Sequence, residues 1–169
     1  YYDYLLRKPS WSIAAVEDIN SSTDEIMNAL TNPCKGVAGE RMGMVFGYVQ
    51  SGKTAHYIGM INKAYDAGYR IVIVLSGIHN SLRSQTQARI DEEVLGYETS
   101  LENIGDMTRE RNVIGVGVGP YNQVETVVQS ITTRDEKGDV NKKTEGVSMM
   151  PPFMIVTKKN ASVLRKILR

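Results

Sequence analysis

The chain has 169 residues, of which 41% are hydrophobic and 23% charged, proportions of an ordinary globular protein with enough length for one sizeable core. Twenty basic against nineteen acidic residues leave a net charge of +1, which excludes a bulk attraction for nucleic acid and confines any such contact to local patches. The single cysteine, Cys34, excludes an internal disulfide and a cysteine metal cluster, and no apolar run approaches the ~20 residues of a membrane helix. No membrane partner is expected, and a reducing cytoplasm is the expected compartment.

Residues 1–33 read as a helical lead-in. Trp11, with Ile13 and Val16, is expected to dock it on the main body, a stacking role for the indole staying open. Ser21-Ser22-Thr23-Asp24-Glu25 has the form of a helix start, Ser22 and Glu25 making a capping box, and Ile26, Met27 and Leu30 follow as a short apolar face before Pro33 stops the helix.

Gly47-Tyr48-Val49-Gln50-Ser51-Gly52-Lys53-Thr54 satisfies the phosphate-loop pattern of a glycine, four free residues and Gly-Lys-Thr. Met44, Val45 and Phe46 make an apolar run suited to a buried strand, and the residues after Thr54 read as a helix, so the motif is expected at a strand-to-helix turn. In that setting the backbone N–H groups of Gln50 to Thr54 surround a phosphate, the helix dipole and Lys53 add positive charge, and the Thr54 hydroxyl faces a magnesium ion. Gly47, Gln50, Ser51, Gly52, Lys53 and Thr54 are therefore the expected nucleotide set, with Lys53 and Thr54 in catalytic roles and Thr54 as metal ligand. The alternative is a glycine-rich turn that holds no phosphate.

Tyr57, Ile61, Ala64 and Tyr65 recur at helical spacing up to a cap at Gly68. Ile71-Val72-Ile73-Val74-Leu75 reads as a strand covered on both faces, which completes a right-handed βαβ unit with the loop at the carboxyl edge of a parallel sheet. After Ser76-Gly77-Ile78-His79-Asn80 comes a helix carrying Leu82, Thr86, Arg89 and Ile90, closed by Gly96. Residues 97–111 have a weak pattern and read as a loop. Val113-Ile114-Gly115-Val116-Gly117-Val118 fits a strand or a glycine bend, and Val124, Val127, Val128 and Ile131 suggest a short helix.

Residues 134–146 are the most polar segment and are expected as an exposed hairpin or mobile loop. Phe153-Met154-Ile155-Val156 reads as a buried strand, and Val163, Leu164, Ile167 and Leu168 as the face of a final helix. The expected fold class is α/β: a three-layer P-loop (RecA-like) parallel sheet with helices on both faces, N-terminal portion only, occupying residues 34–169. The missing initiator methionine and the uncapped helix pattern from Leu164 to Arg169 lead to the expectation that the chain is a piece of a longer protein.

Hydrolysis needs an acidic residue at the end of a strand beside the phosphate loop, to hold magnesium. The good strands run instead into Ser76 and into Thr157-Lys158-Lys159, with Glu125 a distant candidate, so the acid is expected beyond residue 169. Polar strand ends of this kind suit a track for a sugar-phosphate backbone. Ser76, Gly77, His79, Asn80, Arg83 and Gln85 are expected on it after one strand, and Thr157, Lys158, Lys159 and Asn160 after a later one. Structural alternatives stand beside these roles: His79 as a hydrogen-bonded loop histidine, Arg83 paired with Asp91 or Glu92, and Lys158-Lys159 as an ordinary surface dipeptide.

The phosphate loop, Asp66-Ala67-Gly68-Tyr69, Ile73-Val74-Leu75-Ser76-Gly77-Ile78-His79-Asn80 and Leu82-Arg83-Ser84-Gln85-Thr86-Gln87 together resemble the Z-one domain family. Its members, often labelled endonucleases, are linked to superfamily-two helicase-like ATPases of bacteria, archaea and phages. Ser22-Thr23-Asp24-Glu25-Ile26 and Val156-Thr157-Lys158-Lys159-Asn160-Ala161-Ser162-Val163-Leu164 also resemble family blocks. The resemblance implies nucleotide phosphates and magnesium at Lys53 and Thr54, nucleic-acid contact from Ser76 to Gln87 and again from Lys158 to Asn160, and an acidic magnesium motif after the last block.

The function expected is that of the ATP- and magnesium-binding N-terminal part of a helicase-like, nucleic-acid-dependent ATPase in DNA processing or phage defence, inactive in hydrolysis by itself. Its partners would be nucleic acid, DNA before RNA, and the rest of the parent protein. No cluster of acids with a lysine is spaced for phosphodiester cleavage. The alternatives are a small-molecule phosphate-loop kinase, with Arg109 and Arg111 in its lid, and a nucleotide-gated interaction module that does not hydrolyse.

Overall fold

The computed structural model describes residues 1–36, 39–47, 52–101, 112–116, 128–140 and 152–167. They form two compact units, Tyr1–Tyr69 and Arg70–Arg169. Within the first unit the lead-in packs along the helix that follows the phosphate-loop motif. The described architecture is mixed α/β, with helices and a three-stranded, all-parallel open sheet. Among the described residues no helix is long and apolar enough to cross a membrane.

The first unit is helical. Helix α1 spans Tyr2–Leu6 and α2 spans Ile13–Ala29. The start of α2 lies nine residues before the expected capping box at Ser22, because Ser12 is the N-cap and accepts from Ala15 N at 3.2 Å. Ser22 and Thr23 lie mid-helix, and both hydroxyls donate back to the Ile19 carbonyl. Val16 is buried as expected, whereas Ile13, in the first turn, is exposed. Pro33–Lys35 forms a 3-10 turn whose N-cap is Asn32.

Helix α3, Lys53–Asp66, lies against α2 and buries Ile58, Ile61 and Tyr65. Side chains join the two helices: His56 Nε2 meets Ser22 Oγ at 2.9 Å, and Lys63 Nζ donates to Asp24 Oδ1 at 2.5 Å and to the Asn20 carbonyl at 2.7 Å. Gly68, with φ of 95°, ends α3 as expected, its left-handed backbone letting Tyr69 N return to the Ala64 carbonyl. The expected strand before the loop is absent: residues 41–47 form no regular element, and Phe46 is 84% exposed. A three-residue apolar run gains its conformation only from a neighbouring ladder, and none of the described strands pairs with it.

The second unit holds the sheet in the order β1-β3-β2, from β1 (Ile71–Ser76), β2 (Gln129–Ser130) and β3 (Phe153–Lys158). The central strand β3 is buried along Phe153 to Thr157, as its unbroken apolar run implies. Strand β1 was expected to be covered on both faces. It is instead an edge strand on which Ile71, Ile73 and Leu75 are about half exposed while Val72 and Val74 are half-buried.

Helix α4, Asn80–Ile90, buries Ile90 as expected but otherwise Arg83 and Gln87, while Leu82 and Arg89 are exposed and Thr86 is half-buried. It continues through a π-helical turn, Asp91–Leu95, to Gly96. Residues 112–116 make only an isolated antiparallel bridge, Tyr97 to Val113. Where a helix was expected to run through Val128 and Ile131, β2 pairs with β3 instead. Helix α5 spans Ala161–Ile167 with Val163 buried.

The polar segment begins as a turn with Glu136 and Lys137 exposed, as its composition suggested, while Arg134 and Asp139 are half-buried and bonded to Asp91 and Thr157, and Thr132 and Thr133 just before it are buried. Residues 141–146 lie outside the described residues.

Candidate functional site

In the first unit, the ends of the phosphate-loop motif are joined by its own lysine: Lys53 Nζ donates to the Gly47 carbonyl at 2.7 Å. An ammonium carries three N–H donors, so this closure uses one of them. Lys53 opens α3 and is exposed, and Thr54 beside it is half-buried. Gly52 is the N-cap with φ of 77°, a backbone region open to glycine without strain, and a glycine caps with no side chain. The helix start therefore has no side-chain cap and no acid in its first turn.

A lysine at that position opposes the helix dipole, at a cost of about 0.3–1 kcal/mol. An anion bound there reverses the sign: it would meet the ammonium, the amides of the first turn and the positive end of the dipole together. The chemistry of these donors fits a phosphate, and the Thr54 hydroxyl fits a phosphate-bridged magnesium ion. Gln50 and Ser51, the remaining members of the expected set, lie outside the described residues, as does Glu125. Among the described residues no group of three or more His, Cys, Asp or Glu is placed to hold a metal by itself.

In the second unit, the parallel register sets Leu75 beside Thr157 and Ser76 beside Lys158, so the two polar blocks separated in sequence meet at one carboxyl edge. Ser76 Oγ donates to the Thr157 carbonyl at 3.1 Å, and Lys158 Nζ donates to Asn80 Oδ1 at 2.7 Å. Gly77, His79, Asn80, Gln85, Lys159 and Asn160 are exposed. Asn160 has a local task, since its Oδ1 accepts from Ser162 N at 2.9 Å and Ser162 Oγ at 2.7 Å at the start of α5.

Arg83 is not on this exposed edge. It is fully buried, Nη1 donates to the Thr133 carbonyl at 2.8 Å and Nη2 to the Asp135 carbonyl, while Nε has no hydrogen-bond partner. Burial pulls its guanidinium below the ordinary value, opposed by the charges of Asp139, Asp135 and Asp91. These hydrogen bonds go to backbone carbonyls, with the Asp91 charge acting on Arg83 from nearby, and they tie α4 to the chain after β2. A cation in that position cannot meet a polymer at the surface.

Asp139 joins the edge unannounced by the sequence. Its Oδ1 accepts from Thr157 Oγ1 at 2.7 Å, its Oδ2 from Lys158 N at 3.4 Å, and Lys158 Nζ is 3.9 Å from Oδ2. An acid was expected only at the end of a strand's own sequence, and Asp139 reaches the strand end from a separate segment without any periodic pattern to mark it. Its carboxylate backs the β3 terminus and lowers the net charge that Lys158 presents.

Compared with protein-family models, curated proteins and solved structures, the chain matches none.

Proposed function

We propose that this chain is the ATP- and magnesium-binding N-terminal part of a helicase-like, nucleic-acid-dependent ATPase with a RecA-like P-loop fold, working in the cytoplasm. The observation that carries the reading is the Lys53 ammonium on the Gly47 carbonyl at the uncapped start of α3. A cation at the positive end of a helix is explained by an anion that binds there.

Lys53 and the first-turn amides of α3 hold the phosphates, and the Thr54 hydroxyl orients the magnesium ion. Bound MgATP supplies a transferable phosphoryl group and a Lewis acid that spreads its charge. The shared edge of Ser76, Asn80, Thr157 and Lys158 supports the second half of the reading, engagement of a sugar-phosphate backbone by hydroxyls, an amide and a cation.

The test is thermal melting of the 169-residue chain with and without MgATP. The wild type is expected to melt at higher temperature with nucleotide, at ~100 times Kd by about 2.7 kcal/mol of added stability. Lys53→Ala should lose that shift while keeping the nucleotide-free transition. An equal shift in the two proteins would overturn the assignment.

A further inference from the structure

We infer that Trp11 is a positioning residue for the phosphate loop, an inference that rests on the nucleotide reading of Lys53 and deepens it. Gly52, the residue before Lys53, has φ of 77°, and a Cβ built on it would lie 3.5 Å from Trp11 Cη2 and 4.0 Å from Ile19 Cδ1. The rim of the indole and a methyl group of α2 thus face the side of this residue on which a side chain would stand, where loop becomes helix. Trp11 stands in the link between α1 and α2, its backbone N–H donating to the Lys8 carbonyl at 3.0 Å, and its ring is half-buried.

The lead-in is fastened to α3 farther along. Tyr1 Oη donates to the Ala55 carbonyl at 3.3 Å, His56 meets Ser22, and Lys63 meets Asp24 and Asn20. These contacts set the body of the helix. Trp11 and Ile19 act on its first residue, whose backbone angle aims the amides and the Lys53 stem at the phosphate. A glycine at a positive φ has no side chain with which to hold that angle, and the indole and methyl group that face it limit its room to turn. Removing the indole leaves α3 docked and its N-terminal amides less well aimed.

The sequence has one tryptophan, so its emission reports this contact and nothing else. The experiment is a calorimetric MgATP titration of the wild type, Trp11→Ala, Trp11→Phe and Val16→Ala, with tryptophan emission followed in the wild type. Val16 is buried in α2, and its truncation loosens the lead-in without touching Gly52. Trp11→Ala is expected to weaken MgATP binding about tenfold, the scale of losing a group that aims a ligand-binding one. Trp11→Phe should recover most of the affinity, Val16→Ala should bind as the wild type does at a temperature where all variants are folded, and wild-type emission should change on saturation. Unchanged affinity in Trp11→Ala, or an equal loss in Val16→Ala, overturns the role of Trp11 while leaving the nucleotide site standing. Absence of MgATP binding by the wild type overturns the site and the inference together.

Discussion

Arg83 Nη1 and the Thr133 carbonyl meet at 2.8 Å across fifty residues of sequence, with Arg83 fully buried. This bond and its neighbour to the Asp135 carbonyl hold α4 to the segment after β2. Removing the guanidinium takes the donor from the buried Thr133 carbonyl, leaves the Asp135 carbonyl only the bond from Gly138 N, and opens a cavity the size of the side chain. Arg83→Ala is expected to destabilise the protein by about 3 kcal/mol. Arg83→Lys should recover less than half, because one ammonium lacks the fork that reaches two carbonyls. Urea unfolding followed by circular dichroism measures both, and an Arg83→Ala protein of wild-type stability would refute the assignment.

Asp91 is fully buried and takes four kinds of donor: Gln87 Nε2 at 2.9 Å, Thr99 N at 2.9 Å, Thr99 Oγ1 at 2.9 Å and Arg134 Nε at 3.0 Å. Burial raises its carboxyl above the ordinary 3.8, with the bonds from Gln87 and Thr99 and the Arg134 charge opposing the rise. Between 3.8 and the raised folded value the folded state binds more protons than the unfolded one, so Asp91 makes stability fall as pH rises through that window. Above the window its contribution is level. Asp91→Asn removes that slope and turns an amide N–H toward donors, costing about 2 kcal/mol at neutral pH. Melting curves of both proteins across the acidic range test this; a stability difference independent of pH would exclude the titration of Asp91.

Gly59 sets two effects of opposite sign against each other. It lies inside α3, where glycine costs about 1 kcal/mol relative to alanine. A Cβ there would lie 2.7 Å from Tyr2 Oη, and that hydroxyl is engaged with Thr23 Oγ1 at 2.8 Å. Displacing the ring sacrifices a part-buried hydrogen bond, so Gly59→Ala is expected to destabilise by about 1 kcal/mol despite its helix propensity. In a Tyr2→Phe background the hydroxyl is gone, the ring carbon Cζ lies 3.4 Å away, and the same substitution should become neutral or stabilising. Thermal melts of the four proteins in a double-mutant cycle measure the coupling. Additive effects would show that Tyr2 does not explain the glycine.

The α/β class, the buried strand run from Phe153 to Val156, the turn at Gly68 and the phosphate-loop motif were all legible along the chain, because each rests on neighbours in sequence: an apolar run, a glycine after a helix, a fixed spacing. Which face α4 buries was not legible. Arg83, Gln87 and Asp91 have the polarity of surface residues, and only the distant partners Thr99, Ser130, Thr132, Thr133 and Arg134 let them lie inside. Asp139 reached the sheet edge for the same reason, through a hydroxyl and an amide on another segment.

Met44, Val45 and Phe46 show the converse: apolarity proposes a strand, but a ladder needs a second chain segment, and the described strands leave these residues exposed. The phosphate loop divides the same way. Spacing along the chain determined that Gly47 and Lys53 belong to one motif; tertiary packing decided that the lysine closes on that glycine's carbonyl and that Trp11, from the lead-in, faces Gly52 between them. Periodicity records only what a residue is beside in sequence, and buried polar partners are chosen by what lies beside it in space.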